Sequence, residues 1–324
     1  MVERYEGCMV GLAVGDALGA PTEFLSLPEI RRRYGPQGVE DFEPRRGLPP
    51  GSYTDDTQMS IAVALGLLES ADALTNPEAV IQSICRRFVW WVEEVVPRKR
   101  RGPGNTCLRG CHALSAGVPW RESGDRWSKG CGAAMRSAPI GLVYRSRPDL
   151  LREVAYGASV CTHAHPAGVA SGIAAAFLVS RALEGVTYRL VAELLDFVGD
   201  ISEEFNQRVR MVEEALALPP EEALPRLGEG WVGDEAVACA LYCFLHSPHD
   251  YKATVLTAAN TNGDSDSIAC IAGAISGTFN GVGAIPEKWA REVEDSEQLF
   301  ALGRNLTDLA AKLEQGHDSG TDND

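Results

Sequence analysis

Alternation of polar and apolar residues, the mark of a half-buried β-strand, is almost absent from this 324-residue chain, which sets aside sheet-based architectures. Past the N-terminal region no segment keeps about 18 apolar residues free of charge, so no membrane-spanning helix is expected. The apolar run Cys8 to Ala20 lacks the basic flank of a secretory signal: Glu3 and Glu6 precede it and Asp16 interrupts it. Basic residues are few, 30 Lys and Arg against 45 Asp and Glu, and the net charge of −15 works against general affinity for nucleic acid or an anionic membrane. The nine cysteines include no CxxC pair. An odd, scattered set of this kind points to a reducing, cytoplasmic compartment. Cys107/Cys111 and Cys239/Cys243 are spaced four apart and could meet on a helix face, but neither pair has accompanying ligands, so buried thiols are expected.

What is present is helical period. Val80, Ile84, Phe88, Trp91 and Val95 recur at three- and four-residue spacing within 78–96, with Arg87, Glu93 and Glu94 on other faces. The same period runs through 188–198, 203–218, 234–245 and 298–313. The Ala- and Gly-rich segments 167–176 and 269–277 let backbones approach closely and are expected to be central helices. Pro, Gly and Arg mark 27–51, 97–104 and 218–230 as loops. None has the composition of an interdomain linker, so one all-α domain is expected over 1–313. The stretch 314–324 has no apolar residue and is expected to be disordered.

Two short motifs carry the chemistry. Gly51-Ser-Tyr-Thr54-Asp55-Asp56-Thr57 runs into the apolar helical segment 58–68, and Gly263-Asp264-Ser265-Asp266-Ser267 runs into 268–278. Either alone reads well as a helix cap, because Asp, Ser and Thr are favoured there and an acid in a first turn suits the helix dipole. A cap, however, needs one such side chain, and each motif supplies several. Taken together they favour halves of one metal site, and oxygen-only donors suit Mg²⁺, Mn²⁺ or Ca²⁺ over zinc or copper. Four carboxylates could neutralise two divalent cations.

Other stretches fit a ligand less specifically. In 11–23 glycines recur four apart on a helix face and Glu23 follows Pro21; this acid is a candidate acid or base, or else a solvated loop residue. The turns at Gly104-Asn105 and Gly130-Cys131-Gly132-Ala133-Ala134-Met135 have exposed amides that could cradle a phosphate. Thr162-His163-Ala164-His165-Pro166 holds two of the six histidines; an HxH pair could ligate zinc, but histidines before a Pro-initiated helix more often cap or hydrogen-bond.

GLAVGDALGAPTEF from Gly11, TDDT from Thr54, GAAMRSAPIGL from Gly132, THAHPAG from Thr162 and GDSDS from Gly263 stand in an order and spacing that resemble the ADP-ribosylglycohydrolases. The resemblance covers about residues 4 to 290 and is closest to the bacterial dinitrogenase-reductase-activating branch. It implies an all-α orthogonal bundle, a centre of two Mg²⁺ or Mn²⁺, and hydrolysis of the bond joining the distal ribose of ADP-ribose to a modified side chain, arginine by the nearest branch. Position by position, Thr54, Asp55, Asp56, Asp264, Asp266 and Ser267 would be metal ligands. Gly104, Asn105, Gly130, Cys131, Gly132, Met135 and His163 would contact ADP-ribose, and Asp56 or Glu23 would take the proton of the attacking water. The implied partner is an ADP-ribosylated protein or small molecule.

This chain departs from the pattern at Ser267, where threonine is usual, at Cys131, where asparagine is common, and at Gly102, where the nitrogenase-regulating members carry an acid. Three other readings stay open: a non-catalytic ADP-ribose binder like the related lens crystallins, a phosphoesterase cutting the diphosphate, and a hydrolase of serine, nucleic-acid or small-molecule linkages.

Overall fold

The computed structural model describes residues 1–318, and its regular structure there consists of sixteen α-helices and a few single turns, with no strand. The first six are α1 (Val2–Gly19), α2 (Leu27–Tyr34), α3 (Asp55–Glu69), α4 (Pro77–Trp90), α5 (Asn105–Ser115) and α6 (Ala138–Val143). Next come α7 (Pro148–Val160), α8 (Pro166–Leu183), α9 (Leu190–Val198), α10 (Glu203–Ala215) and α11 (Pro220–Leu227). The chain closes with α12 (Gly233–His246), α13 (Tyr251–Ala259), α14 (Ser265–Asn280), α15 (Glu287–Glu292) and α16 (Ser296–Asp318). One contiguous apolar cluster reaches from Tyr5 to Leu313.

The two acidic motifs meet because of how α1 packs. Its glycines repeat every four residues and face α14 running the opposite way. A Cβ at Gly7, Gly11, Gly15 or Gly19 would lie 2.2, 2.5, 2.0 or 2.4 Å from the carbonyl oxygens of Gly277, Gly273, Ala269 and Ser265 respectively. No side chain fits at such distances, so the seam is specified by four missing methyl groups, and it draws the C-terminal end of α1 onto the first turn of α14. Around it, α8 forms a central apolar helix. By length and composition α8 could cross a membrane, but 89% of that window is buried inside the protein, so its apolarity serves the core.

Two segments expected to be loops contain helices. In 27–51, Ser26 opens α2 through a capping box in which Glu29 accepts from the Ser26 N–H (2.9 Å) and hydroxyl (2.7 Å); the Ser-x-x-Glu spacing signals this and is outweighed only by the surrounding Pro and Arg. In 218–230, Pro220 starts α11, where a missing N–H is harmless, and Ala223, Leu224 and Leu227 bury one face. The periodic segment 78–96 divides into α4 and a π-helical turn, Trp91–Val95. Trp91 is thereby fully buried and its indole N–H donates to Gln58 Oε1 at 3.1 Å.

The last helix continues past Leu313 to Asp318, with Glu314 paired to Arg145 at 2.7 Å. Of the stretch expected to be disordered, residues 314–318 lie within this helix, and 319–324 lie outside the described residues. Cys107, Cys111, Cys239 and Cys243 are free and buried.

Candidate active site

Asp16 organises the floor of the site. Fully buried in α1, its carboxylate accepts from the Thr54 N–H (2.9 and 3.0 Å to its two oxygens), the Thr57 N–H (3.0 Å) and the Thr57 hydroxyl (2.6 Å). It satisfies N–H groups at the start of α3 from another helix, where the dipole favours an anion. One turn further, Gly19 lies against Ser265 and Asp266, and the Ser265 hydroxyl donates to Gly19 O at 3.0 Å. The end of α1 thus holds both acidic motifs, which are about two hundred residues apart in sequence, against each other.

Asp55, Asp56 and Thr57 lie in the first turn of α3 and Ser265, Asp266 and Ser267 in that of α14, with Thr54 and Asp264 at the N-cap positions. Capping accounts for only part of them. The Thr54 hydroxyl accepts from Asp56 N at 3.3 Å and donates to Asp56 Oδ2 at 3.1 Å, so Thr54 is the cap of α3. Asp264 occupies the N-cap position of α14 but makes no capping bond. Asp55, Asp56, Asp264 and Asp266 are 6, 4, 6 and 4% exposed, and one oxygen of Asp56 and one of Asp266 are buried without any hydrogen-bond partner.

These acids open onto a cleft of ≈ 240 Å³. Its lining includes all the site residues expected from sequence apart from Thr54: Glu23, Asp55, Asp56, Gly104, Asn105, Gly130, Cys131, Gly132, Met135, His163, Asp264, Asp266 and Ser267. Phe24, Gly102, Thr106, Cys107 and Trp231 join them. A larger cavity of ≈ 320 Å³, with Arg31, Gln37, Thr257 and Asn260 in its wall, has none of the buried aspartates, so of the two it is the smaller cleft that carries the acid cluster.

Burial, and after it the negative charge of Asp266, raises the Asp55 carboxyl to about 7 and pushes Asp56 and Asp264 well above the usual range. Asp16 is likewise raised to about 7 and Glu23 to about 8, with Arg45 opposing the shift at Glu23. Carboxylates crowded this way repel one another, and unpartnered buried oxygens are costly. The donor set of carboxylates and hydroxyls is what a hard divalent cation takes. Among the described residues no three His, Cys, Asp or Glu side chains close by themselves around one point; such an ion would draw on the hydroxyls of Thr54 and Ser267 as well.

Glu23 sits on a loop pinned to the second motif: Phe24 N–H donates to Gly263 O (2.9 Å) and Gly263 N–H to Leu25 O (3.3 Å). Gly263 has φ +81° and a Cβ there would meet Glu229 O at 2.3 Å, so only glycine serves. Arg45 forms a buried ion pair with Glu23. Cys131, which stands where asparagine is common, donates its thiol to Asp264 Oδ2 at 2.9 Å. Burial holds that thiol well above its ordinary range, so it stays a donor.

His163 is buried and neutral, its imidazole lowered to about 3 by burial and by Arg136. Arg136 donates to Thr162 Oγ1 at 2.6 Å, and that hydroxyl stands 2.9 Å from His163 Nδ1. Gly132 has no side chain because a Cβ would meet His163 Cε1 and Cys107 Sγ at 2.7 Å each. His165 caps a helix: its Nδ1 accepts from Ala167 N at 3.1 Å at the start of α8.

An all-helical bundle with a buried, oxygen-rich acid cluster flanked by amide-bearing turns fits one class of glycosidic-bond hydrolases. The sequence model of that class, ADP-ribosylglycohydrolase, matches residues 1–319, and the chain belongs to the ADP-ribosylglycohydrolase family. It is 29% identical to the ADP-ribosylhydrolase ARH3 of Mus musculus over 94% of this chain and 91% of that one. It is also 29% identical to the ADP-ribosyl-[dinitrogen reductase] glycohydrolase of Rhodospirillum rubrum over 90% of each. A solved structure of an ADP-ribosylglycohydrolase-related protein complex matches with a TM-score of 0.77 at 28% identity, covering 95% of this chain and 98% of that one.

Proposed function

We propose that this protein releases ADP-ribose from a modified protein side chain by cleaving the glycosidic bond at the distal ribose, with two Mg²⁺ or Mn²⁺ held by Thr54, Asp55, Asp56, Asp264, Asp266 and Ser267. The observation that carries the reading is the pair of unpartnered buried oxygens, one on Asp56 and one on Asp266, contributed by motifs that α1 brings together. Such cations, when bound, supply Lewis acidity toward the sugar hydroxyls and a bound water. The chain's own groups do the remaining work. Cleavage at an anomeric carbon passes through an oxocarbenium-like state that nearby carboxylates stabilise.

Glu23 is the candidate base. It lines the cleft, lies outside the proposed ligand set and is oriented by Arg45, whereas Asp56 is tied to Thr54. The imidazole of His163, the amides at the start of α5 and those of 130–132 would take the polar groups of ADP-ribose. The 29% identities to ARH3 and to the dinitrogen reductase glycohydrolase are equal, so the arginine acceptor expected from the motifs gains no further support from them.

The test is product analysis with arginine-, serine- and nucleic-acid-linked ADP-ribose, with and without chelator. Free ADP-ribose, lost on chelation and restored by Mg²⁺ or Mn²⁺, is expected. AMP would mean diphosphate cleavage, and absence of any product would leave a binding protein.

A further inference from the structure

We infer that a second cavity, walled by Arg33, Arg45 and Arg46 and separate from the acid-lined cleft, is a phosphate site. This cavity of ≈ 260 Å³ shares Glu23 and Phe24 with the cleft, and the three arginines complete its charged lining. Three guanidiniums thus face one carboxylate, in a chain whose acids outnumber its bases 45 to 30. That carboxylate is already paired with Arg45. Arg33 and Arg46 stand over aromatic rings instead, Tyr34 at 5.1 Å and Phe24 at 5.5 Å.

The backbone is strained at the same place. Among the described residues four non-glycine residues have positive φ, and two of them meet here, Phe24 (φ +70°) and Arg46 (φ +48°). Such a conformation is uncommon for any side chain and more so for a bulky ring. Each is enforced by its surroundings. The Phe24 N–H is tied to Gly263 O at 2.9 Å, and Arg46 with Gly47 (φ +85°) turns the chain between Arg45 and Leu48, which exchange backbone hydrogen bonds of 3.3 and 2.8 Å. Two successive positive φ values make this a type I′ turn, where Asn-Gly or Asp-Gly would sit more easily. An arginine there forgoes that ease and places a guanidinium in the cavity wall; strain of this kind, held by the surrounding structure, clusters at ligand sites.

Arg45 is the fixed member of the set. It is 9% exposed and its Nη1 donates to Arg101 O at 3.5 Å. Burial works against its charge, but Asp266 and Glu23 more than offset that. Arg33 and Arg46 are exposed and can adjust. One rigid and two adjustable forks suit a tetrahedral oxyanion that accepts from several of them at once, and the space holds such an ion with its waters at about 30 Å³ per water. The amide-bearing turns at 104–105 and 130–132 line the cleft and not this cavity, so the site is additional to theirs. Because Phe24 borders both spaces, the ion lies beside the mouth of the cleft. It comes either free or as a phosphorylated side chain of the modified protein; the second source rests on the function proposed above and the first does not.

The experiment titrates inorganic phosphate by calorimetry, at low ionic strength, into Mg²⁺-loaded wild type and the double variant Arg33→Gln, Arg46→Gly. Both side chains are exposed and glycine suits the backbone at 46, so the variant should melt within a few degrees of wild type while its phosphate affinity falls by about tenfold or more. Equal affinity in the two proteins would place the ion elsewhere, on the metals of the cleft for example, and would overturn the inference, as would the absence of saturable binding to wild type. The source is read from ADP-ribose release, using one ADP-ribosylated peptide with and without a phosphoserine near the modified residue. A KM lowered about tenfold by the phosphoserine in wild type but not in the variant identifies the phosphate of the substrate; equal KM values, with phosphate still bound in the titration, identify the free ion. Release from neither peptide would count against the proposed function and leave the calorimetric result standing.

Discussion

Removing the Asp16 carboxylate should weaken the fold and empty the site of its metal response, although Asp16 is not among the proposed ligands. In Asp16→Ala the Thr54 N–H, the Thr57 N–H and the Thr57 hydroxyl lose their acceptor in a fully buried setting. Each unsatisfied group costs about 1–3 kcal/mol, and relief from burying the carboxylate offsets part of the sum, leaving about 3–5 kcal/mol. Asp16→Asn should be milder. Its amide oxygen can replace Oδ2, which takes the Thr57 bonds, while its NH₂ confronts the Thr54 N–H that stood 2.9 Å from Oδ1. One lost bond and the lost charge assistance make about 1–2 kcal/mol.

Urea denaturation of chelator-treated protein reads these differences directly, and calorimetric titration with Mn²⁺ reads the second consequence. With the first turn of α3 released from α1, Asp55 and Asp56 lose their placement, and metal affinity should fall by about tenfold or more. An Asp16→Ala protein within about 1 kcal/mol of wild type, a value ordinary for a surface change, and still binding Mn²⁺ normally, would refute the argument that α1 holds the two motifs together.

Mg²⁺ or Mn²⁺ should raise the melting temperature of chelator-treated protein, since a ligand at a hundredfold excess over Kd adds about 2.7 kcal/mol; Zn²⁺ should not restore activity. Asp264→Asn should abolish both that response and hydrolysis while the helical circular dichroism stays unchanged, because Asp264 makes no capping bond; loss of helicity would reinstate it as a cap. Cys131→Asn retains a donor toward Asp264 and should alter ADP-ribose affinity by less than about tenfold, or 1.4 kcal/mol, in a binding titration. Cys131→Val, which strips the donor from Asp264 Oδ2, should change metal affinity instead, and equal metal affinity in both variants would show that the thiol contact is idle.

The pH prediction follows from acids raised in the fold: Asp16 and Asp55 from 3.8 to about 7, and Glu23 from 4.5 to about 8. Between those values the folded state binds more protons than the unfolded one, so the stability of metal-free protein should fall as pH rises through that window. Saturating Mg²⁺ should flatten the slope, and a metal-free protein that gains stability over the same range would contradict the crowding of these acids.

What the sequence determined by itself is local. Periodic apolar residues such as Val80, Ile84 and Phe88 mark one face of a helix whatever surrounds it, and runs of Asp, Ser and Thr are hard oxygen donors wherever they lie. Even the α2 boundary was written in Ser26-x-x-Glu29, obscured by neighbours that break other helices. The tertiary structure decided everything that depends on one helix meeting another. Asp16 reads only as a charge inside an apolar run until the glycine seam sets α1 against α14 and its carboxylate against the start of α3. The thiol of Cys131 on Asp264 and the guanidinium of Arg45 on Glu23 leave no periodic or spacing signal, because each bond is fixed by the packing of backbones far apart in the chain and not by the residues beside it.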